Sequence, residues 1–272
     1  MRRLFFVVAL ATGLAATLCL GLLPRARAAE PKELAVFAAA SLREVFQKVA
    51  DDFEKKHANV KVRLNFAGSQ ELRVQIEHGA RADVFASADT KHLQALQKQN
   101  LVAGSKIFAR NEPVVIVPVN YPGRLARFAD LPKAERIVVG VPEVPIGAYT
   151  ETLLANSEKP YGKKFREGVV AHIRSRELNV RQVLTKVALG EADAGIVYKT
   201  DALSAKDKVT VIEIPDGINV IAEYPIAVLS AAPQPGLARD WIAAVLGEEG
   251  QRVLRAAGFR QAPDAATDST KR

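Results

Sequence analysis

Short runs of β-branched and apolar residues alternate along this chain with stretches whose apolar positions recur every three or four residues. Read by period, the pattern predicts strands at 33–39, 60–66 and 84–86, with helices at 41–56 and 70–78 between them. In the first helix Leu42, Val45, Phe46, Val49 and Phe53 form one stripe that must face a sheet. A second series opens with an apolar strand at 112–119, closed by the turn Tyr121-Pro122-Gly123. It continues with a strand at 137–141, a helix after Gly147, another from Val180 and a strand at 194–198. A strand at 209–214 follows, 222–230 leads back as a strand, and 236–257 reads as one or two helices. Alternation of this kind defines an α/β protein built from βαβ units.

No repeat, low-complexity linker or long disordered segment separates the two series, apart from the polar end after Pro263. The halves are therefore joined by strands. The chain is expected to cross between them near Arg110 and Asn111 and again near Glu223 and Tyr224. That places 29–110 and 223–272 in a discontinuous lobe I and 111–222 in lobe II.

The first 28 residues read as a cleaved secretion signal: Arg2 and Arg3, an apolar run from Leu4 to Leu23, then Ala26-Arg27-Ala28 as the cleavage site. A membrane anchor is the rival reading, which Pro24 and the adjacent small residues disfavour. Cys19, the single cysteine, lies within this leader and follows Leu18 rather than the small residue a lipid-anchoring signal requires. Cleavage removes it, which excludes disulfides, thiolate metal sites and cysteine nucleophiles together. The leader also holds four of the arginines behind the formal net charge of +8, leaving +4. Basic residues are mixed with acids, as in Glu54-Lys55-Lys56, so they read as solvated helix faces and not as a nucleic-acid stripe.

Candidate chemistry lies where strands end. At Ala40-Ser41-Leu42 and again at Gly68-Ser69-Gln70 a strand finishes, a hydroxyl residue follows and a helix starts. Each serine can be a helix cap; equally, each can join the free N–H groups of the helix start in holding an anion. Two such serines at the carboxyl ends of neighbouring strands lie where open α/β sheets bind ligands. In the second half, Gly147 offers close backbone approach after Val144-Pro145-Ile146, Asn179-Val180-Arg181 starts a helix, and Tyr198 ends an apolar strand. No nucleophile elbow, dinucleotide fingerprint or P-loop is present, and His57, His78, His92 and His172 lack metal-ligand spacing and read as residues of solvated helix faces or loops. Asp83, Asp89 and Asp193 read as caps and turn residues, with acid or metal roles as the alternative.

Three early segments, Phe37-Ala38-Ala39-Ala40-Ser41-Leu42, Asn65-Phe66-Ala67-Gly68-Ser69 and Ala82-Asp83-Val84-Phe85-Ala86-Ser87-Ala88-Asp89, resemble in order and spacing the periplasmic molybdate-binding proteins of ABC importers. Val144-Pro145-Ile146-Gly147-Ala148-Tyr149, Asn179-Val180-Arg181-Gln182 and the run from Gly190 to Tyr198 continue the match over nearly all the mature chain. The resemblance implies a type II periplasmic binding fold, two α/β lobes closing on the ligand around a two-strand hinge. It implies that Ser41, Ser69 and Tyr198 bind molybdate or tungstate through hydroxyls, and Ile146 and Val180 through backbone N–H. Ile146 departs from the smaller alanine common in relatives. The resemblance further implies a periplasmic, monomeric receptor that serves the permease and ATPase of an importer, with no cofactor, no direct metal ligand and no nucleic acid. A receptor for sulfate or another tetrahedral oxyanion on the same fold, and an exported enzyme, are the alternative readings.

Overall fold

The computed structural model describes residues 30–123 and 125–262; the leader, with Cys19, and the polar end after Pro263 lie outside the described residues. The described residues from Pro31 to Ala262 form one compact unit containing two five-stranded sheets. In the first, β1 (Lys32–Ala39) lies between parallel β2 (Val60–Ala67) and β3 (Val84–Ala86). Next to β3 comes β10 (Ala222–Val228), antiparallel both to it and to the edge strand β4 (Lys106–Asn111). The second sheet repeats this scheme. Here β6 (Ile137–Gly140) lies between parallel β7 (Ile173–Glu177) and β8 (Ala194–Tyr198), and β5 (Pro113–Pro118) is antiparallel to β8 and to β9 (Val209–Ile212).

The helices follow from the parallel strands, which need crossovers. In the first half these are α1 (Arg43–Lys56) and α2 (Ser69–Glu77), with α3 (Thr90–Lys98) after β3. In the second they are α4 (Pro145–Tyr161), α5 (Lys163–Ala171) and α6 (Val180–Ala188), with the short α7 (Lys199–Ser204) after β8. The tail forms two helices, α8 (Pro235–Leu246) and α9 (Glu248–Ala256). The chain leaves the first sheet at Asn111 and rejoins it at Ala222. No helix among the described residues is long and apolar enough to cross a membrane.

The stripe of α1 is buried as its period requires: Val45, Phe46, Val49 and Phe53 are at most 5% exposed. Phe46 and Phe53 meet the edge of fully buried Trp241 from α8 at 5.5 and 5.6 Å. This aromatic cluster fastens the tail helices onto the first sheet.

Asp83 and Asp193 hold equivalent positions, one residue ahead of β3 and β8. Asp83 accepts the N–H groups of Ala35 (2.8 Å) and Gln234 (2.5 Å). Asp193 accepts those of Glu135 (3.1 Å) and Arg136 (2.9 Å) and the Arg136 guanidinium at 2.7 Å. Asp89 caps α3 through the His92 N–H (3.1 Å). All three aspartates are thus committed to backbone, as turn and cap residues.

Two expectations need correction. His92 is not on a solvated face: it is 4% exposed, with Nε2 3.0 Å from the Glu143 carbonyl. Burial holds its pKa below the ordinary histidine value, against the pull of Asp89. Gly147 does not precede a helix but sits in the first turn of α4. A Cβ there would lie 1.9 Å from the Val141 carbonyl oxygen, so this glycine serves the close approach of helix to strand end. Gly147→Ala is therefore expected to destabilise the protein by about 2 kcal/mol or more, read as a lower urea midpoint. An unchanged midpoint would mean that the helix start tolerates the methyl group.

Candidate functional site

Every parallel strand in both sheets ends at the same place. Ala39 of β1 is in register with Ala67 of β2, and Ser41 and Ser69 follow each partner by two residues. Gly140 of β6 is in register with Glu177 of β7, after which the chain turns into α4 and α6. Tyr198 is the last residue of β8. The carboxyl edges of the two sheets face one another, and Ser41, Ser69, Ile146, Val180 and Tyr198 all line one cavity between them, about 220 Å³ with the solvent space at its mouth counted in. These are the five residues singled out in the sequence, and all are buried.

Neither serine is a cap. Ser41 sits inside a 3-10 turn, Ala40–Leu42, ahead of α1, and makes no capping bond. The cap of α2 is Gly68, leaving Ser69 as the first helical residue. Their hydroxyls are therefore available for other work. Ser69 Oγ accepts the Ala88 N–H at 3.1 Å, so its own proton remains to be donated. Ser41 Oγ lies 3.0 Å from the Tyr224 hydroxyl. The Tyr198 hydroxyl is buried without a hydrogen-bond partner. Burial, before any neighbouring group, pushes that phenol's pKa well above its ordinary value, so it stays a neutral donor.

The helix starts supply amides. Pro145 begins α4 and has no N–H, and the first backbone bond returning to the cap runs from Ala148 to Val144 at 2.9 Å. The N–H of Ile146 thus belongs to the unpaired first turn. In α6 the cap Asn179 accepts the N–H groups of Arg181 (3.1 Å) and Gln182 (3.2 Å), which leaves that of Val180 at the cavity. Both amides carry the positive end of a helix dipole.

No lysine or arginine lines the cavity. Arg181, beside Val180, is occupied elsewhere: its guanidinium is paired with Asp201 at 2.7 Å and with Glu44 on α1. Asp201 is fully buried, and burial raises its pKa to about 6 in spite of Arg181. The Arg181–Glu44 pair also spans the two halves, as do the bond from Gln70 Nε2 to the Leu178 carbonyl (2.8 Å) and the His92–Glu143 contact. Among the described residues no group of three His, Asp or Glu is placed to hold a metal ion. The arrangement can surround a small acceptor-rich anion with hydroxyl and amide donors in a place with little water.

Sequence reading missed Tyr224 as a site residue, and with it the Glu44–Arg181–Asp201 network. Tyr224 stands 183 positions from its partner Ser41, beyond the reach of any local pattern.

Such a cleft, set between two sheets of matching topology, is the mark of a binding protein. The chain belongs to the bacterial extracellular solute-binding protein family, whose sequence profile matches residues 34–260. The molybdate-binding protein ModA of Mycobacterium tuberculosis is 39% identical to it over 232 residues, 84% of either chain. Among solved structures, the periplasmic molybdate-binding protein of Azotobacter vinelandii superposes with a TM-score of 0.73 at 20% identity, over 85% of this chain and all of that one. The sulfate-binding protein SubI of M. tuberculosis superposes with a TM-score of 0.76 at 18% identity, over 86% and 88% of the two chains. These likenesses establish the type II periplasmic binding fold, with its two lobes on either side of the cavity.

Removing Arg181 tests the neighbouring network. Arg181→Ala strands the buried Asp201 carboxylate and is expected to cost roughly 3 kcal/mol of stability. A raised folded pKa means that the cost of burying Asp201 grows as pH rises from the unfolded value through the folded one. Below about pH 6 the native carboxyl is itself protonated, so the variant's deficit should open mainly above that value. Urea midpoints at about pH 5 and about pH 8 check this; an equal deficit at both would contradict it.

Proposed function

We propose that this protein captures a tetrahedral, fully deprotonated oxyanion, molybdate or tungstate, in the cavity between its lobes and delivers it to an ABC importer. The observation that carries the reading is the donor set. Ser41, Ser69 and Tyr198 supply hydroxyls and Ile146 and Val180 supply backbone N–H groups around one cavity that no cation lines. M. tuberculosis ModA supports the choice of ion, since it matches at 39% identity across most of both chains.

The selectivity follows from hydrogen-bond inventory. Molybdate offers acceptors only, so donors on every side satisfy it. Hydrogen phosphate brings a proton that finds no acceptor there. An unpaired buried polar group costs about 1–3 kcal/mol, roughly ten- to a hundredfold in affinity. Several oriented N–H and O–H dipoles then hold the double charge without a formal cation. Sulfate shares the acceptor-only character, so cavity size must separate it from the larger ions.

In this reading the mature chain is an exported, periplasmic monomer without a cofactor. Residues 29–110 and 223–272 form one jaw and 111–222 the other. The closed form is what the permease and ATPase complex recognises. Contacts that cross the cleft, such as Gln70 to Leu178 and Arg181 to Glu44, favour closure.

Isothermal titration of the mature protein with molybdate, tungstate, sulfate and phosphate tests the proposal. Molybdate and tungstate are expected to bind tightest, sulfate more weakly and phosphate least. Ser41→Ala combined with Ser69→Ala should weaken molybdate binding by at least about a hundredfold, two lost donors at roughly 1.5 kcal/mol each. Tighter sulfate than molybdate binding would move the assignment to a sulfate receptor.

A further inference from the structure

Gly68 caps α2, yet nothing in its own backbone asks for glycine. Its φ of −63° and ψ of 141° are open to any L-residue. Its capping bonds are all made by backbone atoms: its N–H donates to Glu71 Oε2 at 3.0 Å, and its carbonyl accepts the Leu72 N–H at 3.1 Å. A side chain at this position would leave both in place.

What excludes a side chain is the other lobe. A Cβ on Gly68 would lie 2.4 Å from the Leu178 carbonyl oxygen, and 2.4 and 2.5 Å from the two amide atoms of Gln70. The Gln70 amide is a flexible tip. Its Oε1 has no partner and its Nε2 donates to that same Leu178 carbonyl at 2.8 Å, so a single bond holds it and it can swing aside. The Leu178 carbonyl has no such freedom, being backbone in the turn between β7 and α6. The N–H of Leu178 is tied to Gln182 Oε1 at 3.0 Å, and Val180, two residues on, opens α6. To admit a side chain at 68, the start of α6 must withdraw from the start of α2.

The place of this contact gives it a consequence. Ser69 is the residue after Gly68, and both Ser69 and Val180 line the cavity, one from each lobe. The approach of Gly68 to Leu178 thus fixes how near a hydroxyl of one lobe comes to an amide of the other. Gly147 is the contrast. Its tight neighbours, Gly140 and Val141, belong to its own lobe and crowd it whether the lobes are together or apart.

We propose that Gly68 is a positioning residue for the anion site: by lacking a side chain it lets the start of α6 seat against the start of α2, and so sets the span across which Ser69 and Val180 share one ion. The inference rests on the oxyanion reading of the cavity and adds a residue whose role is spacing, since it donates nothing to the ion.

Gly68→Ala and Gly68→Val grade the obstruction. Titrated with molybdate, the mature Gly68→Ala protein is expected to bind about tenfold more weakly than wild type, and Gly68→Val more weakly again, as overpacked contacts do. Small-angle X-ray scattering should show wild type contracting on saturation with molybdate and both variants contracting less. The ligand-free urea midpoint of Gly68→Ala should stay near that of wild type, because the crowding arises only when the lobes meet. A merely structural glycine would give the reverse, a lowered midpoint or failure to fold beside unchanged affinity of whatever folds, and that result would overturn the proposal. So would folded variants with the affinity and contraction of wild type, while leaving the oxyanion reading intact. Wild-type protein that binds none of molybdate, tungstate and sulfate would instead sink the oxyanion reading, and this inference with it.

Discussion

A backbone N–H in the first turn of a helix has no acceptor within that helix, and in this fold that constraint is put to use. The parallel strands of both sheets end at one cavity, and α2, α4 and α6 begin there. Unpaired amides and hydroxyls are thus gathered where they can face a shared guest. Other backbone amides near the strand and helix ends are held by side chains. Asp83 and Asp193 secure the amino ends of the strands, while Asn179 and Asp89 occupy the spare amides of α6 and α3.

The same economy governs charge. No charged side chain lines the cavity, and Arg181, next to Val180, is engaged by Asp201 and Glu44. A fixed cation would attract any anion, protonated or not, whereas directed dipoles discriminate by where protons sit. The proposed discrimination against phosphate follows from that difference. The Arg181–Glu44 pair also joins the lobes beside the cavity, so charge balance and closure share a residue.

Much of this was legible in the sequence because it is written locally. Strand ends followed by Ser41 or Ser69 and the run Asn179-Val180-Arg181 mark helix starts, and the apolar run ending at Tyr198 marks a buried strand. What escaped depends on partners far along the chain or on weak patterns. β7, Ile173-Arg174-Ser175-Arg176-Glu177, is an edge strand whose charges hide its period. β4 is apolar only at Ile107, Phe108 and Ala109, and α3 and α5 have nine residues each. The serines looked like caps because residue type cannot tell the cap position from the one after it; Gly68 took that role. Gly147 was read as a ligand approach because its neighbours Val141 and Gly140, which it packs against, are fixed only by the fold. Tyr224 reaches Ser41 through tertiary structure alone.

The account depends on neutral donors alone satisfying a doubly charged guest, and a crystal structure of the mature protein with molybdate bound tests that most directly. The expected result is oxygens surrounded by the Ser41, Ser69 and Tyr198 hydroxyls and the Ile146 and Val180 amides, with Arg181 still paired to Asp201. A lysine or arginine side chain in direct contact with the ion would contradict it.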